Sequence, residues 1–110
     1  MATAHENLSK LARLALSQNK LARVWANNTG TAKSFTGDRV ISYGLKGSAD
    51  NIGIARNGKF IAVEIKIGKD VLKPEQIIFR DIIIKNNGYH FVIRSEDDID
   101  KMILELKNAL

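Results

Sequence analysis

The chain has 110 residues, 45% of them hydrophobic and 26% charged, with a net charge of +5 and a pI near 9.6. That length predicts one small domain spanning residues 1–110, and Arg80 and Asp81 interrupt the most apolar region, so no run approaches the ~18 uncharged apolar residues that a membrane span needs. There are no cysteines, which excludes disulfides, zinc ribbons and thiol catalysis and leaves carboxylates as the expected metal ligands.

The N-terminal segment MATAHENLSK has no apolar signal core, so a mature, cytoplasmic chain is expected, in the host cytoplasm if the gene belongs to a phage. Leu8, Leu11, Ala12, Ala15 and Leu16 recur at helical spacing and predict an amphipathic helix over 5–18, with Glu6, Lys10 and Arg13 on its other side. Residues 23–27 read as a short strand containing Val24 and Trp25, with Trp25 expected in the core. Asn28-Thr29-Gly30-Thr31 reads as a polar loop, and Val40–Tyr43 as another short strand. Tyr43 fits a packed residue and a stacking platform equally well.

Residues 51–56 and 59–67 flank Asn57-Gly58, a dipeptide suited to a tight hairpin turn. Side-chain alternation puts Phe60, Ala62, Glu64 and Lys66 on one face of the second strand and Ile61, Val63, Ile65 and Ile67 on the other. Pro74 opens a helix expected to run to Asn87 and to end on Gly88 as a left-handed cap. Residues 89–94 form a further strand. Ser95 and Asp98 resemble a capping box for a last helix reaching Ala109. The expected order is α-β-β-β-α-β-α, an α/β fold with a mixed central sheet flanked by helices.

The basic balance points to a polyanion. From Lys10 to Lys46 the chain has Lys10, Arg13, Lys20, Arg23, Lys33, Arg39 and Lys46 against the single acid Asp38, whereas residues 96–100 are acidic, so phosphate contacts are expected from the first half. Asn28, Thr29 and Lys46 are candidate DNA contacts, although such residues are by default a solvated loop.

Three segments carry chemistry: Gly47-Ser48-Ala49-Asp50, Glu64-Ile65-Lys66 and Pro74-Glu75-Gln76. An acid-x-lysine triplet on a strand, taken alone, reads as a solvated ion pair. Here the strand is apolar enough on both faces to be central, and central strands seldom carry Glu and Lys inward because buried charge is expensive. Glu64 and Lys66 sit about 7 Å apart on one face. With Asp50 beside it, Glu64 can hold a hard divalent cation. Such a cation acidifies a bound water while Lys66 orients it and offsets phosphate charge. Gln76 can bond the water or Lys66. Ser48 lacks a base, and His5 and His90 lack ligand spacing, so His90 is expected to be a packing or surface residue.

Together with Asn28-Thr29-Gly30, Asn51-Ile52-Gly53, residues 58–66 and Ile77-Ile78-Phe79, these motifs resemble the virus-type replication-repair nuclease (VRR-NUC) domain of the PD-(D/E)XK superfamily across nearly the whole chain. The resemblance implies a restriction-endonuclease-like core and Mg2+-dependent hydrolysis of DNA phosphodiesters, with Mn2+ able to substitute. It places metal ligands at Asp50, Glu64 and the Ile65 carbonyl, the water-assisting amine at Lys66, a supporting glutamine at Gln76 and an acidic residue of the first helix at Glu6. Ala49 stands where the superfamily's nominal proline would be, a place where small residues occur in the family. Stand-alone relatives of this type imply a homodimer acting on branched DNA such as Holliday junctions, in DNA repair. Two rival readings are a non-catalytic nucleic-acid-binding module on the same fold and an interaction protein in which Glu64 and Lys66 merely neutralise each other.

The turn poses a geometric condition. A strict two-residue turn at Asn57-Gly58 would set Asp50 opposite Ile65 and on the wrong face. A shared metal site therefore requires a longer loop, a bulge near Gly53, or an Asp50 placed just before the regular ladder.

Overall fold

Thr3 and Glu6 close a capping box that starts α1 (Ala4–Gln18), the Thr3 hydroxyl accepting from the Glu6 amide and the Glu6 carboxylate accepting from the Thr3 amide. In this computed structural model, which describes residues 1–110, α1 is followed by β1 (Ala22–Ala26), β2 (Gly30–Lys33), β3 (Val40–Tyr43), β4 (Asn51–Ala55), β5 (Phe60–Ile65), α2 (Pro74–Lys85), β6 (Tyr89–Ile93) and α3 (Glu96–Ala109). The side chain of Tyr43 lies outside the described residues, and with it the choice between packing and stacking.

Four strands form a mixed sheet in the order β1-β4-β5-β6, antiparallel except for the parallel pair β5–β6, which α2 connects as the crossover. Strands β2 and β3 form a separate antiparallel ribbon. Five strands thus precede α2, two more than the α-β-β-β-α-β-α order and one more than the four segments read as strands, and Gly30 and Thr31, expected in a loop, belong to the ribbon. Backbone pairing with β3 makes that strand; its side chains are exposed and supply no apolar pattern to read.

One side of the sheet packs on α1 and α3. Leu8, Ala12 and Leu16 of α1 and Ile99, Met102 and Leu106 of α3 close over Ile61, Val63, Ile65 and Ile93. The other side meets only α2, through a smaller cluster of Ala49, Ala62 and Phe79. The outward face of the edge strand β1 has no helix over it, so Trp25 is 54% exposed and not a core residue.

Two glycine positions adjust the frame. At Gly53 a Cβ would lie 2.0 Å from the Arg23 carbonyl oxygen, so the bare backbone lets β1 approach β4 with the ladder unbroken and no bulge. Helix α2 ends at Lys85, and the left-handed residue after it is Asn87 (φ 65°) rather than Gly88. Gly88 is needed for space instead, since a Cβ there would crowd the Ile83 side chain and the Phe60 carbonyl. At α3 the Ser95 hydroxyl accepts from the Asp98 amide, but the Asp98 carboxylate accepts from the Arg94 amide, one residue outside the expected box. No helix among the described residues is long and apolar enough to cross a membrane.

Candidate active site

The loop between β4 and β5 decides the site. Ala55 accepts from the Gly58 amide and donates to the Lys59 carbonyl, leaving Arg56, Asn57 and Gly58 as a three-residue loop with Gly58 at φ +88°. Asn51 consequently pairs with Val63 and Ile54 with Phe60. Continued by one residue, that register sets Asp50 opposite Glu64, on the same face and just before the regular ladder.

Asp50 is held on several sides. Its Oδ2 accepts from the Ile65 amide at 2.8 Å and lies 3.3 Å from His5 Nε2. Its carbonyl accepts from the Asn27 amide at 2.7 Å, while the Asn27 side chain donates to Ser48 Oγ and to the Ala49 carbonyl. Gly47, at φ +87°, lies against the first turn of α2, where a Cβ would come within 2.5 Å of the Glu75 carbonyl oxygen. The next residue after Asp50, Asn51, points to the α1 side and is fully buried, its amide bonded to Ser9 and its oxygen to Ser9 and Arg13.

Glu64 and Lys66 are 2% and 6% exposed, well inside the fold for charged groups. Gln76 at the start of α2 joins them: its Oε1 accepts from Lys66 Nζ and from the Lys73 amide, both at 2.9 Å, and its Nε2 donates to Glu64 Oε1 at 3.4 Å. Glu64 Oε2 is buried with no hydrogen-bond partner among the described residues. Burial, then the adjoining Asp50 carboxyl, push the Glu64 pKa up to about 8, and Lys66 pulls it only partly back. Without a cation, the acid pair therefore retains a proton near neutral pH.

Oxygen donors suit a hard divalent cation, and the orphaned Glu64 oxygen shows where one would be favourable. The Ile65 peptide belongs to this set. A strand residue's N–H and C=O point to the same side, so the Ile65 carbonyl faces the Asp50 end of β4, beyond the last ladder pair.

Glu6 departs from its expected part. Its carboxylate turns back on Thr3, and no three Asp, Glu or His side chains converge among the described residues. The residue of α1 that meets Asp50 is His5, whose lack of ligand spacing had spoken against a site role. Asn27 carried no signal either; an Asn ending a short strand gives no sign of the loop it ties down. His90 packs on Phe79 with ring centroids 6.4 Å apart, and burial drives its pKa down to about 4, so it belongs to packing. Asn28 lines the hollow beside Asp50, whereas Thr29 and Lys46 line a separate one at the ribbon.

No protein-family model matches the chain, and no curated protein matches it.

Proposed function

We propose that the protein is a Mg2+-dependent endonuclease that hydrolyses DNA phosphodiesters, of the virus-type replication-repair kind, on a restriction-endonuclease-like core. The observation that carries this reading is the set of groups on one sheet face: Asp50 in register with Glu64, Lys66 two residues on, and Gln76 bonded to both Glu64 and Lys66. A fold does not bury an acid and an amine beside a second, half-buried acid without something to offset the desolvation cost.

Asp50, Glu64 and the Ile65 carbonyl would hold the cation, which supplies acidification of water and polarisation of a phosphoryl oxygen when bound. The Lys66 amine, fixed by Gln76, stands beside the acids where it can orient the attacking water and stabilise charge on the phosphate. His5 steadies Asp50 from the α1 side. Gln76 holds the amine and the Glu64 carboxyl at a set separation, a positioning role.

A homodimer acting on branched DNA such as a Holliday junction is part of the same reading. Exposed Ile78 and Ile82 on α2, with Phe60 and Ile54 on the partly open sheet face, support association through that side.

The test is cleavage of linear, flap and four-way DNA in Mg2+ and in chelator. Divalent-dependent cutting, strongest on the four-way substrate, is the expected result. No cleavage of any substrate by folded protein in Mg2+ or Mn2+ would remove the proposal.

A further inference from the structure

Away from the acid pair, the seam between α1 and the edge strand β1 holds three adjoining hollows. The first, about 250 Å3, has Asp50 and His5 at one end and Lys10 and Arg13 at the other. Lys10 and Arg13 also line the second, about 370 Å3, together with Ser17 and Arg23. Ser17 and Arg23 pass in turn into the third, about 510 Å3, with Lys20 and Arg56. The shared residues place the three hollows in a row, from the Asp50 site along the seam to the loop between β4 and β5.

Its charge is one-sided. Glu6 and Asp50 are the only acids along it, both at the Asp50 end, and the second and third hollows have none. Lys10, Lys20, Arg23 and Arg56 form no ion pairs among the described residues. The opposite flank of α1 differs: its hollow is lined by Leu11, Leu14, Glu96 and Asp100. A polyanion is thus drawn to the β1 side of α1 and repelled from the α3 side.

We propose that this seam is a track for a phosphodiester backbone running from the Asp50 site towards Arg56. The path from Asp50 to Arg56 along extended β4 spans about 20 Å. That matches the ~20 Å of α1 from His5 to Gln18, with Lys20 just beyond its end. Asn28 at the near end offers its side-chain amide to the same backbone. The inference rests on the nuclease reading for its occupant, the strand that enters the Asp50 site.

Binding in chelator separates the two. Full-length protein is titrated with fluorescent single-stranded and duplex oligonucleotides, read by anisotropy over a range of salt concentrations. The triple variant Lys10→Gln/Arg23→Gln/Arg56→Gln is compared with Lys85→Gln/Lys101→Gln/Lys107→Gln, which removes equal charge elsewhere; circular dichroism checks folding of both. Arg13 is left intact because it bonds Ser9 and Asn51. The track variant should lose at least about tenfold in affinity near 0.1 M salt and flatten the log–log salt slope by about 2 to 3, with the control close to wild type. Loss on either probe supports the track and names the strand form it carries. Equal loss in both variants, or displacement of the oligonucleotide by polyglutamate as readily as by unlabelled DNA, overturns it. Should the track variant lose binding while wild type never cleaves, the nuclease reading fails and the track stands. A wild type that cleaves beside a track variant that binds and cleaves normally means the reverse: the track fails and the nuclease reading stands.

Discussion

Towards α1 and α3, β5 presents Ile61, Val63 and Ile65, all buried in a cluster of aliphatic side chains from two helices. Towards α2, the same strand presents Ala62 and Glu64, with Lys66 just beyond its end, also buried, beneath a helix that contributes Phe79 and Gln76. Ala62, Glu64 and Lys66 are kept from water as fully as Ile61, Val63 and Ile65, yet one set uses its burial for packing and the other for charge. Burying a hydrocarbon stabilises by about 25 cal/mol per Å2, whereas burying a carboxylate costs free energy unless a cation or a proton compensates. The contrast implies that the first face stabilises the fold and the second is stabilised by it, held ready for a ligand.

The contrast breaks most severely if the aliphatic face is not the stable one. Leu16→Ala, which empties a fully buried position, should cost about 2 to 5 kcal/mol in denaturant unfolding, a large fraction of a small domain's stability. Cleavage by the remaining folded protein should be unaffected. Lys66→Ala should do the opposite: about 10²- to 10³-fold loss of cleavage rate with folding retained, measured under single-turnover conditions. A Lys66→Ala protein that cuts as fast as wild type would show that the buried amine is structural.

Proton linkage sharpens the contrast. Glu64 has its ordinary value of 4.5 when unfolded and about 8 when folded, so its contribution is fully present below pH 4.5 and is lost as pH rises through 8. Metal-free protein should lose stability over that window, on the order of 5 kcal/mol at most. Glu64→Gln should flatten the loss in thermal melts across pH. A smaller effect of opposite sign belongs to His90, whose pKa falls from 6.5 to about 4 on folding. Its contribution is present above pH 6.5 and fades as pH falls through 4. His90→Phe should therefore weaken acid destabilisation by about 1 kcal/mol, checked by urea midpoints at pH 4.5 and pH 7.

Much of the charged face was legible from residue order because alternation and helix starts are local properties. Glu64 and Lys66 share a face by strand parity, and Gln76 lies two residues after the proline that opens α2. Asp50 was legible only conditionally. Whether it met Glu64 depended on a loop of two residues or three, and Asn57-Gly58 permits either. The extra residue, Arg56, supplied the parity. His5 was not legible at all: its approach to Asp50 follows from the packing of α1 on β4 through Ser9 and Asn51, 42 residues apart. Trp25 misled because its apolar surface implies burial, while its position on an uncovered edge strand is a tertiary fact. The ribbon strand at Gly30 escaped because backbone pairing, rather than side-chain pattern, makes it.

Whether Asp50 and Glu64 form one divalent-cation site is tested most directly by calorimetric titration of wild type and Glu64→Gln with Mn2+. The titrations are run near pH 7.5 in two buffers of different ionisation enthalpy. One cation per chain, a proton released on binding, and loss of both in Glu64→Gln are predicted. Indistinguishable binding by the two proteins, or none by either, would contradict the shared site.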